Sequence, residues 1–280
     1  MGIGEVGELL RRFTVHIRGI GPQQQSAGSG VILDAEGTIV TNAHVAGNGT
    51  HWVELWDGRS LRADIKARDG HRDLAKLKLH ATGLPAATFR NQPVKPGELV
   101  VAVGNPLGFT GALTTGVIHG AGPFPGLGRR PWVQAAIRLA PGNSGGPLAD
   151  AAGQIVGINT MIASSGVALA IPGVIVEEFV RNGARPRLGV TVRPVRMDRR
   201  NSIGLLILSV DQGSPAEQSS LLIGDLLVGT DQAPFTTVAD LADAIAESSA
   251  PLKVRFLRGN RTTEREVAIS LDGKFTQEAA

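Results

Sequence analysis

Ser144 lies in Pro141-Gly142-Asn143-Ser144-Gly145-Gly146-Pro147. A serine crowded by glycines between two prolines describes backbone held in unusual dihedrals to present one hydroxyl, not a spacer. Such a hydroxyl attacks a carbonyl only if a base takes its proton and N–H donors receive the oxyanion. His44, in Val40-Thr41-Asn42-Ala43-His44-Val45, offers an imidazole suited to accept that proton near neutral pH and return it. Asp73 opens Asp73-Leu74-Ala75-Lys76-Leu77-Lys78-Leu79, where a carboxylate at a strand start can fix an imidazole tautomer and stabilise the imidazolium. Each residue also has a bland reading: a glycine-rich turn, one histidine among six, a surface aspartate capping a turn. For Asp57, Asp64 and Asp69 the bland reading is preferred.

These side chains need a rigid frame. Val31 to Leu33 and Thr38 to Thr41 bracket Asp34-Ala35-Glu36-Gly37, while Trp52 to Trp56 and Arg59 to Ile65 bracket Asp57-Gly58, a two-residue hairpin signal. Leu99 to Val103, Thr114 to Ile118, Trp132 to Ala136 and Ile155 to Asn159 continue the series. Many short strands without interspersed helices predict an all-β sandwich or a pair of barrels up to Leu169. His44 then falls at a strand end, where a base can be held firmly. The alternation from Ala75 onward predicts a half-buried strand, with Lys76 on its outer face and its head in water.

Composition excludes several classes. The 280 residues are 42% hydrophobic and 19% charged, with a net charge of +3 spread through the chain, which argues against nucleic acid as a principal partner. Without cysteine there is no disulfide, thiol catalysis or thiolate metal site. Neither His-Glu-x-x-His nor a Walker loop occurs, so no metal or other cofactor is expected. No apolar run is long enough to span a bilayer, and Arg11, Arg12, His16 and Arg18 interrupt any signal-peptide core. As written, the sequence reads as cytoplasmic, or as periplasmic or cell-envelope if a targeting segment has been removed. Gly2-Ile3-Gly4-Glu5-Val6-Gly7 matches a dinucleotide fingerprint only formally, lacking a preceding strand, and reads as a flexible terminus.

Six landmarks occur in order: Gly28-Ser29-Gly30-Val31-Ile32-Leu33, Thr41-Asn42-Ala43-His44-Val45, Asp73-Leu74-Ala75, Gly104-Asn105-Pro106-Leu107-Gly108, the Gly142 to Leu148 loop, and Ala170-Ile171-Pro172. Together they resemble the HtrA (Deg) family of trypsin-like serine proteases. The resemblance implies a mainly β chymotrypsin/trypsin-like double β-barrel with the active site in the cleft between barrels. It implies Ser144 as nucleophile, His44 as general base and acid, Asp73 as its orienter, and the N–H groups of Gly142 and Ser144 as oxyanion hole. Neutral Asn143 stands where digestive relatives carry an aspartate that pairs with a freshly cut N-terminus. Reversible loop ordering is therefore implied, with Gly120 to Pro131, which carries Phe124, Arg129 and Arg130, as the candidate loop. Two alanines, Ala135 and Ala136, replace the family's Thr-Asp pair. A specificity pocket near Val133, Ile158 to Thr160 and Ala168 to Ala170 has no acidic residue, which predicts cleavage after small or medium aliphatic residues.

Val174 to Asn182 reads as a helix, and Ala184 to Arg187 as a linker. Domain boundaries follow at 1–183 for the protease-like part and 187–280 for a small α+β PDZ-like domain. In the latter, Gly204 to Val210, Leu226 to Thr230, Leu252 to Leu257 and Thr262 to Ile269 read as strands. Helix starts stand at Ser214-Pro215-Ala216-Glu217 and at Thr237 with Asp240. The PDZ resemblance implies that Arg187-Leu188-Gly189-Val190 captures a terminal carboxylate and that Leu188, Val190, Leu241 and Ile245 form an apolar pocket. Ordinary core packing is the competing reading for Leu241 and Ile245. The expected function is an ATP-independent endopeptidase acting on unfolded or damaged proteins, regulated by hydrophobic C-terminal peptides. The alternative is a catalytically silent holdase or peptide-binding scaffold. The family further implies a homotrimer built through residues 3 to 20, with Leu9, Leu10 and Phe13 as apolar contacts.

Overall fold

The turn chemistry sets the strand boundaries. Asp34 Oδ1 accepts the N–H groups of Glu36 (3.1 Å) and Thr38 (2.8 Å), turning the chain between two apolar runs. At the next hairpin Gly58 takes φ +85°, and Asp57 Oδ1 accepts the Arg59 N–H at 3.1 Å. A computed structural model describes residues 1–20, 25–47, 49–105, 111–125, 127, 130–163, 166–183, 187–197, 202–248, 251–259 and 263–271. Pro106 to Gly108, Arg129 and the linker residues before Arg187 lie outside these.

The chain divides into two compact units, Met1–Ala184 and Arg185–Ala280. The first opens with helix α1 (Ile3–Phe13), followed by β1 (Thr14–Ile20), β2 (Gln25–Ile32), β3 (Thr38–Thr41), a one-turn helix α2 (Ala43–Ala46), β4 (Thr50–Glu54), β5 (Ser60–Asp69) and β6 (Leu74–Leu79). These six strands close a barrel in the order β1-β2-β3-β6-β5-β4. Then β7 (Leu99–Gly104), β8 (Ala112–Pro123), β9 (Pro131–Ile137), β10 (Pro147–Asp150), β11 (Ile155–Ile162) and β12 (Ala168–Pro172) close a second barrel, β10-β11-β12-β9-β8-β7, before helix α3 (Gly173–Asn182). Val15, Ile17, Val31, Ile39, Val53 and Leu77 of the first barrel are fully buried, and one apolar cluster continues from them into Val101, Ile158 and Leu169 of the second. The two barrels thus share a core, and closure leaves neither with a free sheet edge.

Three expectations change. The N-terminal segment is not a flexible terminus: Val6, Gly7, Leu10 and Phe13 form the buried stripe of α1. Leu10 and Phe13 are thereby taken up by the chain's own core, while Leu9 is exposed. Gly120 to Pro123 continue β8, with Pro123 paired to Pro131, so the connection to β9 shrinks to residues 124–130. Lys76 does not end in water. Its Nζ donates to the Val180 carbonyl at 3.0 Å, a cation on the last turn of α3 where the helix dipole favours one.

The second unit is an antiparallel sheet in the order β13-β14-β15-β16-β17, built from Val190–Met197, Ser202–Val210, Leu226–Thr230, Leu252–Leu257 and Glu264–Ile269. Strand β13 had no clear sequence signal because Pro194 interrupts it; as an edge strand it tolerates a residue without an N–H. Helix α4 (Pro215–Gln218) starts on Ser214, whose side chain accepts the Glu217 N–H, and α5 (Val238–Glu247) starts on a Thr237–Asp240 capping box. Leu188, Leu205, Ile207, Leu227, Phe235 and Val254 are among its buried core. The fold is mainly β throughout: a trypsin-like double barrel and a PDZ-type domain.

Candidate active site

His44 leaves the first barrel on α2, directly after β3. That single turn is held from several sides: Arg68 donates to the Ala43 carbonyl (3.2 and 3.1 Å), Ser26 Oγ to the Val45 carbonyl (2.8 Å), and buried His51 Nε2 to the Ala46 carbonyl. Too short to be stable alone, the turn owes its geometry to these contacts.

Asp73 adopts φ +56°, a conformation unfavourable for a residue other than glycine. Asn42 Nδ2 holds its carbonyl at 3.0 Å, and its carboxylate binds back to His44 through the backbone N–H (3.1 Å) and Nδ1 (2.9 and 3.0 Å). Thr160 Oγ1, from β11 of the second barrel, donates to Asp73 Oδ2 at 2.5 Å. Burial raises the Asp73 pKa, but the hydrogen bonds from His44 and Thr160 outweigh it and hold the group below the usual carboxylate range. An ionised carboxylate only accepts, so Nδ1 carries the proton and Nε2 is left as the acceptor.

The Ser144 loop is fixed by the chain it crosses. Ser29 ties it twice, with Oγ donating to the Gly142 carbonyl (2.7 Å) and N–H to the Ser144 carbonyl (2.8 Å). Gly142 at φ +105° and Gly145 at φ +84° require glycine. A Cβ on Gly145 would also sit 2.1 Å from the Ser29 carbonyl oxygen. The Asn143 N–H donates to the Ala140 carbonyl (3.0 Å), whereas the N–H groups of Gly142 and Ser144 meet no backbone acceptor among the described residues. Ser144 Oγ itself donates to the Thr160 carbonyl at 3.0 Å. Thr160 therefore touches both Asp73 and Ser144, one through its hydroxyl and one through its carbonyl. Sequence reasoning placed Thr160 only beside a specificity pocket; its hydroxyl contact across the barrels left no signal in residue order.

Val133, Ile158 to Thr160 and Ala168 to Ala170 come together, with Ala170 paired to Val133 and to Asn159, and all are buried. Ala135 is buried opposite Ala168, while Ala136 is exposed. No group of three His, Asp or Glu side chains among the described residues is arranged to hold a metal ion.

In the second unit, Leu188 and Leu241 are buried in the core and Val190 and Ile245 pack half-buried against the same cluster. Gly189 takes φ +76°, its carbonyl accepts the Asp211 N–H at 2.9 Å, and a Cβ there would meet Ser214 Cβ at 2.2 Å. Helix α5 lies beside edge strand β13.

Residues 28–158 match the family model of the trypsin-like peptidase domain, and residues 186–269 that of the PDZ domain. A probable periplasmic serine endoprotease DegP-like of Hahella chejuensis is 35% identical over 289 residues, covering 95% of this chain and 62% of the relative. The mitochondrial serine protease HTRA2 of Drosophila persimilis is 32% identical over 275 residues, covering 85% of this chain and 64% of the relative. The chain thus spans less than two thirds of the length of these relatives. Among solved structures, the HtrA-type protease AlgW with decapeptide is 26% identical at a TM-score of 0.67, covering 98% of this chain and all of that one. A serine endoprotease from Yersinia pestis is 26% identical at a TM-score of 0.66, covering 96% of this chain and 97% of that one. With both domains matched in order and the double barrel in place, the chain belongs to the HtrA (Deg) family of trypsin-like serine proteases with a C-terminal PDZ domain.

Proposed function

We propose that this chain is an ATP-independent serine endopeptidase in which Ser144 is the nucleophile, His44 the general base and acid, and Asp73 the group that orients and stabilises the imidazolium. The observation that carries this reading is the Asp73 carboxylate bound at once by His44 Nδ1 (2.9 Å) and Thr160 Oγ1 (2.5 Å), with Ser144 Oγ on the carbonyl of the same threonine. Transfer of the Ser144 proton requires that hydroxyl to exchange the Thr160 carbonyl for His44 Nε2. The acyl bond then forms to Ser144 Oγ, and the amide N–H groups of Gly142 and Ser144 receive the carbonyl oxygen, each such donor contributing about 3–4 kcal/mol to the transition state. His44 returns the proton to the leaving amine, and water, deprotonated by the same imidazole, releases the acid. The apolar lining around Val133, Ile158 and Ala168 to Ala170 suits a small or medium aliphatic side chain before the cleaved bond.

Unfolded or damaged protein segments are the proposed substrates. Solved structures of the HtrA-type protease AlgW with a decapeptide and with a tripeptide support peptide binding by the second unit. A C-terminal hydrophobic peptide would add as a strand to β13 beside α5, its carboxylate at Leu188-Gly189-Val190, and bias the protease loops. A homotrimer remains part of the proposal, with Ile3 and Leu9 of α1 as its exposed apolar residues. No helix among the described residues is long and apolar enough to cross a membrane. Relatives named periplasmic support placement in the periplasm over the cytoplasm.

Casein hydrolysis and fluorophosphonate labelling of Ser144, with and without a hydrophobic C-terminal peptide, test the reading. Turnover falls by up to about a millionfold on Ser144→Ala or His44→Ala. Hydrolysis that survives Ser144→Ala refutes the assignment. Suppression of client aggregation by a wild-type protein that takes no label favours the silent scaffold.

A further inference from the structure

Arg130 ends the connection between β8 and β9 and points at the turn that carries Asp73. Its guanidinium stacks 3.8 Å over the ring of buried Trp132, and Nη1 donates to the His71 carbonyl at 2.7 Å. That carbonyl belongs to the Asp69–Asp73 turn between β5 and β6, whose other anchors are visible. Asp69 Oδ1 accepts the N–H groups of His71 (3.0 Å) and Arg72 (2.9 Å), and Arg72 Nη2 reaches Glu178 of α3 at 2.7 Å. Arg130 also lies within the fields of Asp73 and Asp69, which oppose the burial that lowers its own pKa.

We propose that Arg130 is a positioning residue for Asp73, holding the acid turn through the His71 carbonyl and placing its positive charge beside that turn. This rests on the reading of Asp73 as the orienter of His44. A half-buried guanidinium loses part of its solvation, and a hydrogen bond to one carbonyl needs only a neutral donor. The nearby acid supplies the reason for the charge. The arrangement also answers how Asp73 stays at φ +56°: its turn comes from the first barrel, but Arg130, Glu178 and Thr160 grip it from the second barrel and α3. Among the described residues, the other charges on this turn and on the elements packed against it include Arg68 on β5, bound to the Ala43 carbonyl, and the Asp69–Arg72–Glu178 set, and all persist when Arg130 alone is changed.

The experiment compares Arg130→Ala, Arg130→Gln and Arg130→Lys in the full chain. In the Ser144→Ala background, ring-nitrogen NMR follows protonation of His44; in the active background, kcat and KM are read on a short chromogenic substrate. Loss of the Arg130 charge leaves Asp73 unshielded beside the imidazole. The His44 midpoint then rises in the Ala and Gln variants and stays near wild type in the Lys variant. Turnover falls about tenfold or more in Arg130→Ala with KM within about twofold, and Gln, which keeps a donor for His71, recovers part of kcat. An unchanged or lowered midpoint in the Ala and Gln variants overturns the proposal, as does wild-type kcat in Arg130→Ala. Should the Ala variant fail to fold, the Gln and Lys pair decides. If the wild-type protein shows no Ser144-dependent turnover, the protease reading fails while the NMR measurement still reads Arg130.

Discussion

Thr160→Val isolates the bond that ties the two barrels at the acid. Valine keeps the volume and β-branching of a side chain that is 4% exposed, so the change deletes one donor without opening a cavity. The lost bond is charge-assisted and short at 2.5 Å. Hydrogen bonds to charged groups contribute about 1.5–3 kcal/mol, and no water can replace a donor at so buried a position. Asp73 keeps its bonds to the His44 backbone and ring, so the deficit stays near that range rather than reaching the cost of a bare buried carboxylate. For a unit of this size the melting midpoint at pH 7 falls by about 3–12 °C. The pH dependence is the sharper test. Since the folded-state pKa of Asp73 is depressed, its ionic interactions stabilise the fold fully above the unfolded value near 3.9 and are lost as pH falls through the lower folded value. The midpoint difference between variant and wild type therefore narrows as pH falls below about 4 and goes on closing through the lower folded-state value. Calorimetry across pH 2–7, resolving the transition of the first unit from that of the second, measures it. A difference that persists unchanged at pH 2, or is absent at pH 7, refutes the assignment of the Thr160 bond to the ionised acid.

Other changes probe the frame. On Gly104→Ala the new Cβ would meet Asn143 Oδ1 at 2.2 Å and Asn143 Cα at 3.0 Å, so the Ser144 loop must shift. Fluorophosphonate labelling should slow about tenfold or more, as sub-ångström misplacement does, while far-UV circular dichroism stays unchanged. Leu10→Ala removes a fully buried side chain of α1 and should destabilise the first unit by about 2–5 kcal/mol. Calorimetry should show that loss in the first unit and leave the transition of the second in place.

Much of this molecule could be read from residue order, because the physics there is local. Alternating apolar runs and Asp-Gly or Asp-x-x-Gly turns specify strands and hairpins through contacts a few residues apart, and Thr237 with Asp240 announces a helix start in the same way. Glycine at positions 142 and 145 needs only the allowed regions of one residue's backbone. The α1 helix was hidden because glycines at 2, 4 and 7 mimic a flexible terminus. Gly7 lies on the buried stripe of α1, where a Cβ would stand 2.2 Å from Leu113 Cδ1, the movable end of a side chain more than a hundred residues away. Lys76 looked like a solvated strand residue until α3 brought the Val180 carbonyl to its ammonium group.

The sequence by itself therefore marked most of the strands and turns and singled out His44, Asp73 and Ser144 as candidates, each through short-range signals. Only the tertiary structure decided what holds them: Thr160 and Arg130 from the second barrel reaching an acid turn of the first, and Ser29 reaching back to the Ser144 loop. Those contacts join residues 59 to 115 positions apart. Their existence depends on barrel closure and a shared apolar core, for which neither side chain carries a local signature.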